Sequence, residues 1–83
     1  MINLMQEYFK IKMGMEPSSV INLMNLPEEN PTHFIYEVSA GDKVQKMVAE
    51  LIPADNGGYN GLMVRFIESE EELNAIRDTI KEK

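Results

Sequence analysis

The chain has 83 residues, of which 43% are hydrophobic, with no cysteine and a formal net charge of −6. That length fills one domain, because independent cores run from about 50 to 200 residues, and that hydrophobic content excludes a disordered chain. The missing thiols exclude a disulfide framework, a thiolate zinc site and a cysteine nucleophile, while the acidic balance sets the mean field against phosphate backbones and anionic membranes.

There is no apolar run of about 18 residues, and the N-terminus lacks the basic, apolar, small-residue order of a secretory signal. A reducing cytoplasm is the expected compartment, and neither a membrane nor direct nucleic-acid contact is expected. Residues 2–13 place Ile2, Met5 and Phe9, then Leu4, Tyr8 and Ile11, three or four apart. This spacing predicts a helix, which Gly14 and Pro17 are suited to stop. A strand from Phe9 to Met13, alternating with Lys10 and Lys12, is the rival reading, and the stop signals favour the helix.

Between Pro17 and Pro27, serines at 18 and 19 precede apolar pairs that recur every three residues. A short helix over 19–25 is predicted, with a strand as the alternative because Val20 and Ile21 are β-branched. From His33 the period becomes two, and Gly41-Asp42 fits the two-residue type II′ turn of a β-hairpin. That turn sets paired positions to sum to 83, which places Tyr36 opposite Met47, Ile35 opposite Val48 and Glu37 opposite Lys46. A third strand over 62–67 follows an eight-residue loop, and charge pairing favours a register summing to 115, with Glu50 opposite Arg65 and Lys46 opposite Glu68, over one summing to 113.

Ser69 and Glu72 have the spacing of a capping box, so a helix begins there, with Leu73, Ile76 and Ile80 as its buried stripe and Lys81 and Lys83 at its far end. The expected fold is a two-layer α+β domain over 1–83: an N-terminal helix plus a short helix, a three-stranded antiparallel meander, and a C-terminal helix.

No enzymatic motif emerges. The loop containing Gly57, Gly58 and Gly61 has no lysine and leads into a strand, unlike a phosphate-binding loop, and its glycines are explained by turn geometry. His33 is the single histidine, and nothing in the sequence ties a nucleophile or second ionisable group to it. No cofactor and no metal site are expected. The domain is expected to be a non-catalytic protein-protein interaction module: an adaptor, regulator or inhibitor.

Its interface is expected on the sheet face opposite the helices, at Ile35, Val48, Ile52, Met63 and Ile67, with Tyr59 on the loop. A homodimer through this face would satisfy the same pattern. Residues 68–83 hold six acids against three bases, and Glu68, Glu70, Glu71 and Glu72, with the turn acids Glu28 and Glu29, suggest docking on a basic, nucleic-acid-handling protein. The alternative from another class is a small-molecule-binding domain that uses the Gly57 to Gly61 loop as a lid.

Overall fold

Gly14 closes the first helix, α1 (Ile2–Met13), in the left-handed conformation at φ 68°, and its amide donates to Lys10 O at 2.9 Å. Glycine adopts that conformation without the Cβ penalty, while Lys10 and Lys12 lie at the negative end of the helix dipole. The computed structural model describes residues 1–81 and all side chains but that of the last of these, so of the basic end read at Lys81 and Lys83 the Lys81 side chain and the whole of Lys83 lie outside the described residues. Among the described residues the chain continues as β1 (Ser19–Leu26), β2 (His33–Ala40), β3 (Lys43–Pro53), β4 (Tyr59–Ile67) and α2 (Glu70–Lys81). The four strands form one antiparallel sheet in the order β1-β2-β3-β4.

Four strands replace the expected three, because residues 19–25 are extended. Val20 pairs with Val38 and Asn25 with Phe34. Ser18, read as part of a helix cap, instead donates both its amide and its hydroxyl to Ser39 O, at 2.7 and 3.0 Å. The register slips by one residue between Asn22 and Met24, so Leu23 is an extra residue and the strand changes face there. Val20 therefore joins one side of the sheet, and Met24 and Leu26 join the other.

The β2–β3 hairpin has the predicted two-residue loop and register, with Tyr36 opposite Met47, Ile35 opposite Val48 and Glu37 opposite Lys46. Gly41 has φ 63° and Asp42 is not in the positive region, as a type II′ turn requires. Between β3 and β4 the register is the rejected one: Val48 faces Arg65, Glu50 faces Met63 and Lys46 faces Ile67. The reason lies outside the sheet. Arg65 and Lys46 have their carboxylate partners on α2, at Glu72 and Glu70, so the strands are free to align Met47 with Phe66, Ala49 with Val64 and Leu51 with Leu62.

The layering also differs from the expectation. Met5 and Phe9 of α1 bury against Tyr36, Val38, Ala40, Met47 and Ala49, with the Phe66 ring 5.4 Å from Tyr8 and 6.3 Å from Phe9. Leu73 and Ile76 of α2 bury against Ile35, Val48 and Ile67. Because successive strand residues point to opposite faces, these two clusters lie on opposite sides of the sheet. The domain is three layers, helix, sheet and helix, and each fully covered aliphatic side chain contributes roughly 1.5 to 3 kcal/mol.

Candidate functional site

The strand registers arrange the α2 side of the sheet in rows that run across the strands. Met24, Ile35, Val48 and Arg65 form one row, and Leu26, His33, Glu50 and Met63 form the next. The helix leans on the first of these through Leu73 and Ile76. Over the second row its flank rises, leaving a cleft of about 370 Å³ lined by His33, Glu50, Arg65, Glu72, Ala75, Ile76, Thr79 and Ile80.

The polar floor of this cleft is held by specific bonds. His33 Nε2 is 3.0 Å from Glu50 Oε1, and His33 Nδ1 is 2.9 Å from Thr32 Oγ1. This pattern calls for the proton on Nε2, donated to the carboxylate, with the threonine hydroxyl donating to Nδ1. The expectation that no second ionisable group is tied to His33 is thus corrected. Thr32 in turn is anchored through its amide to Leu26 O at 2.9 Å and accepts the Leu51 amide at 2.9 Å, so the imidazole staples the β1–β2 turn onto β3.

Arg65 Nη1 donates to Glu72 Oε1, while Glu72 Oε2 accepts the Glu68 amide at 3.0 Å. The Glu72 amide donates to Ser69 Oγ at 3.2 Å. This is the predicted cap with one change: the glutamate reaches back to Glu68 rather than to Ser69. One carboxylate thereby caps the helix and orients the guanidinium into the cleft. At the other end of the row system, Lys46 Nζ lies 2.8 Å from Glu70 Oε1. The hydrogen bond from Lys46, then its charge, hold the Glu70 carboxyl below the ordinary carboxylate range, and the same contact raises Lys46.

Chemically, the cleft offers a carboxylate at Glu50 and a guanidinium at Arg65 beside an aliphatic wall of Ala75, Ile76 and Ile80. Thr32, His33 and Glu50 have the hydroxyl, imidazole, carboxylate connectivity of an acyl-transfer relay. The Thr32 hydroxyl, however, is not on the cleft wall, and both ring nitrogens are engaged. Among the described residues no three His, Asp or Glu side chains converge to hold a metal ion, and no helix is long and apolar enough to cross a membrane.

Of the five sheet-face residues read as an interface, three are covered. Ile35 and Val48 are fully buried and Ile67 nearly so, because α2 lies on the face expected to be open. Ile52 and Met63 remain exposed, at 39% and 48%, and Tyr59 is 55% exposed at the start of β4. These three lie at one end of the β3–β4 pair, Ile52 and Met63 on the α2 face and Tyr59, which a register shift sets opposite Pro53, on the α1 face. Ile52 Cδ1 leans toward the space left open by the missing Gly61 side chain, 4.0 Å from where a Cβ would stand.

The four clustered acids are divided. Glu70 and Glu72 are paired with Lys46 and Arg65, whereas Glu68 and Glu71 are exposed and form no ion pair among the described residues. Glu28 and Glu29 follow Leu26 at the opposite end of the sheet from Lys46, so the turn acids do not share a site with the helix acids. The glycine loop is shorter than read, since β4 begins at Tyr59. Its amides bond within the loop: Ala54 to Gly58 O, Gly57 to Ala54 O and Gly58 to Asn56 Oδ1, at 2.8, 3.2 and 3.1 Å. Residues 57–61 contribute nothing to the cleft wall. Compared with protein-family models, curated proteins and solved structures, the chain matches none.

Proposed function

We propose that the domain is a non-catalytic protein-binding module of the reducing cytoplasm, an adaptor, regulator or inhibitor, whose docking surface is the β3–β4 end of the α2 face. One observation carries this reading: past the row of His33, Glu50 and Met63, α2 no longer covers the sheet, and Ile52 and Met63 stay 39% and 48% exposed. An apolar centre bordered by charged groups, here Glu50, Arg65 and Glu72, is the composition of a surface that a partner covers. Tyrosine supplies contact area at low entropic cost, which suits Tyr59, around the sheet end from Ile52, to the rim of such a contact.

With a net charge of −6, a partner with a basic rim is favoured, including a basic nucleic-acid-handling protein. Glu68 and Glu71, which form no ion pair among the described residues, provide carboxylates for it. Such steering raises the association rate and weakens with salt. The test is affinity capture from the host cell's extract with wild type, Ile52→Glu and Tyr59→Ser. Loss of the same captured protein from both variants, while wild type releases it progressively with salt, supports the reading. Equal capture by all three removes it.

A second reading is favoured by the cleft itself. Glu50 and Arg65 beside Ile76 and Ile80 suit a small ligand that has both polar and apolar parts, and this site replaces the glycine loop as the place for one. A thermal-shift screen against small metabolites separates the readings, because a specific ligand raises the midpoint by mass action. A hit that Arg65→Gln abolishes favours the ligand.

A further inference from the structure

We infer that the free edge of β4 pairs with β4 of a second copy of this chain, antiparallel about a two-fold axis, to make one continuous eight-stranded sheet. An edge strand presents a row of unsatisfied amides and carbonyls, and natural sheets blunt such edges with charge, proline, bulges or a covering element. The two edges of this sheet differ in that respect. β1 is bent by the extra residue at Leu23, and there the Asn22 side-chain amide occupies the ladder, donating to Ile35 O at 3.1 Å and to Asn25 Oδ1 at 3.0 Å. β4 runs for nine residues, Tyr59–Ile67, without proline. Its single irregularity is at the Tyr59 end, and among the described residues no side chain bonds its outer edge.

Charge selects the occupant. A second copy of a chain with net charge −6 is repelled at most of its surface, yet residues 59–67 contain no acid and one base. That base, Arg65, is already neutralised by Glu72. The β4 edge is thus a place where two copies meet without like-charge opposition. Antiparallel self-pairing is also what a two-fold axis produces, because the same residues then serve both sides.

Full overlap of the nine residues puts the axis at Met63, the middle of the strand. Directly opposite residues share a face, so Leu62 meets the second copy's Val64 on the α1 side, where both are half-buried in the single chain. On the α2 side Arg65 lies across from Gly61, whose missing side chain leaves room for the guanidinium stem. Nine strand residues span about 30 Å, so full overlap brings the whole length of the β4 edge into the contact. The proposal shares Met63 and Tyr59 of β4 with the docking surface above, and Ile52 on β3, which the paired backbone edge does not use, tells the two apart.

The test is the mass in solution over a concentration series, by light scattering, for wild type, Met63→Lys, Met63→Glu and an equimolar mixture of the two variants. Wild type is expected at twice the 9.5 kDa chain mass. Each variant alone sets like charges against each other at the axis and is expected at the chain mass. The mixture sets lysine against glutamate and is expected to restore the dimer. A wild type that stays at chain mass throughout, or a mixture no heavier than either variant, overturns the proposal. Should a variant fail to fold, amide exchange on wild type decides: outward β4 amides that slow as concentration rises support pairing, and concentration-independent exchange overturns it. Ile52→Glu is expected to keep the dimer while losing the captured partner, so each proposal can fail without the other.

Discussion

His33 and Glu50 face each other directly across the β2–β3 pair, with Nε2 3.0 Å from Oε1, and the imidazole is also bonded to the neighbouring Thr32 hydroxyl at 2.9 Å. The ring therefore bridges a turn and a strand. Its side chain is 19% exposed and that of Glu50 33%, so water partly competes for the bond. Replacing His33 by alanine is expected to cost about 1 kcal/mol, the usual net worth of a hydrogen bond that solvent can partly replace. Urea denaturation of His33→Ala, Glu50→Gln and the double variant checks this: if the ring acts through Glu50, the double variant is little worse than His33→Ala alone.

The pair of Lys46 and Glu70 makes stability depend on pH in a definite direction. Glu70 has a lowered folded-state pKa, through its hydrogen bond from Lys46 first and the ammonium charge second. Its contribution is present above the unfolded carboxylate value and is lost as pH falls through the folded one. Lys46 is raised by the same bond and charge, so its contribution is present below the unfolded lysine value and is lost as pH rises through the folded one. Both groups face solvent, and the effect is small. Glu70→Gln is expected to flatten the acid limb of a thermal-melting profile without changing its shape near neutrality, and added salt is expected to reduce the difference. An acid limb identical to that of wild type would show that the contact is idle.

The parts of this fold that could be read from sequence are those governed by neighbours along the chain. Gly41-Asp42 sets the β2–β3 register, and that register by itself places His33 opposite Glu50, so this contact is legible from residue numbers alone. Ser69 and Glu72 announce α2 because capping is local. The β3–β4 register departs from the one that charge pairing favours because Arg65 and Lys46 find their counter-ions on a helix in another layer, which no strand-to-strand comparison contains. In β1 the extra residue at Leu23 moves Val20 and Met24 to opposite faces. That shift turns a period of two into an apparent period of three, and so it imitates a helix. Which face α2 would cover was also out of reach: its apolar stripe is visible in Leu73, Ile76 and Ile80, but the face it meets depends on how the chain leaves Ile67. The cleft followed from that choice, as did the burial of Ile35, Val48 and Ile67.

The three-layer arrangement separates two residues that the sequence makes look equivalent. Ile35 and Ile52 both lie on the α2 side of the sheet, yet Ile35 is fully buried beneath Leu73 and Ile76 while Ile52 is 39% exposed. Truncating Ile35 to alanine removes buried methylenes and leaves a cavity that α2 cannot fully collapse into, so a loss of about 2 to 5 kcal/mol is expected. For a domain whose whole stability is about 5 to 15 kcal/mol, that is a large fraction. A glutamate at Val48, which is also fully buried, would place an unpaired charge in the same core and is expected to unfold the domain. Ile52→Glu keeps its carboxylate in water and is expected to melt within a few degrees of wild type. Circular dichroism melts of Ile35→Ala, Val48→Glu and Ile52→Glu test the layering directly. If α2 did not cover this face, Val48→Glu would be tolerated as well as Ile52→Glu, and similar midpoints for those two variants would refute a helix on each side of the sheet.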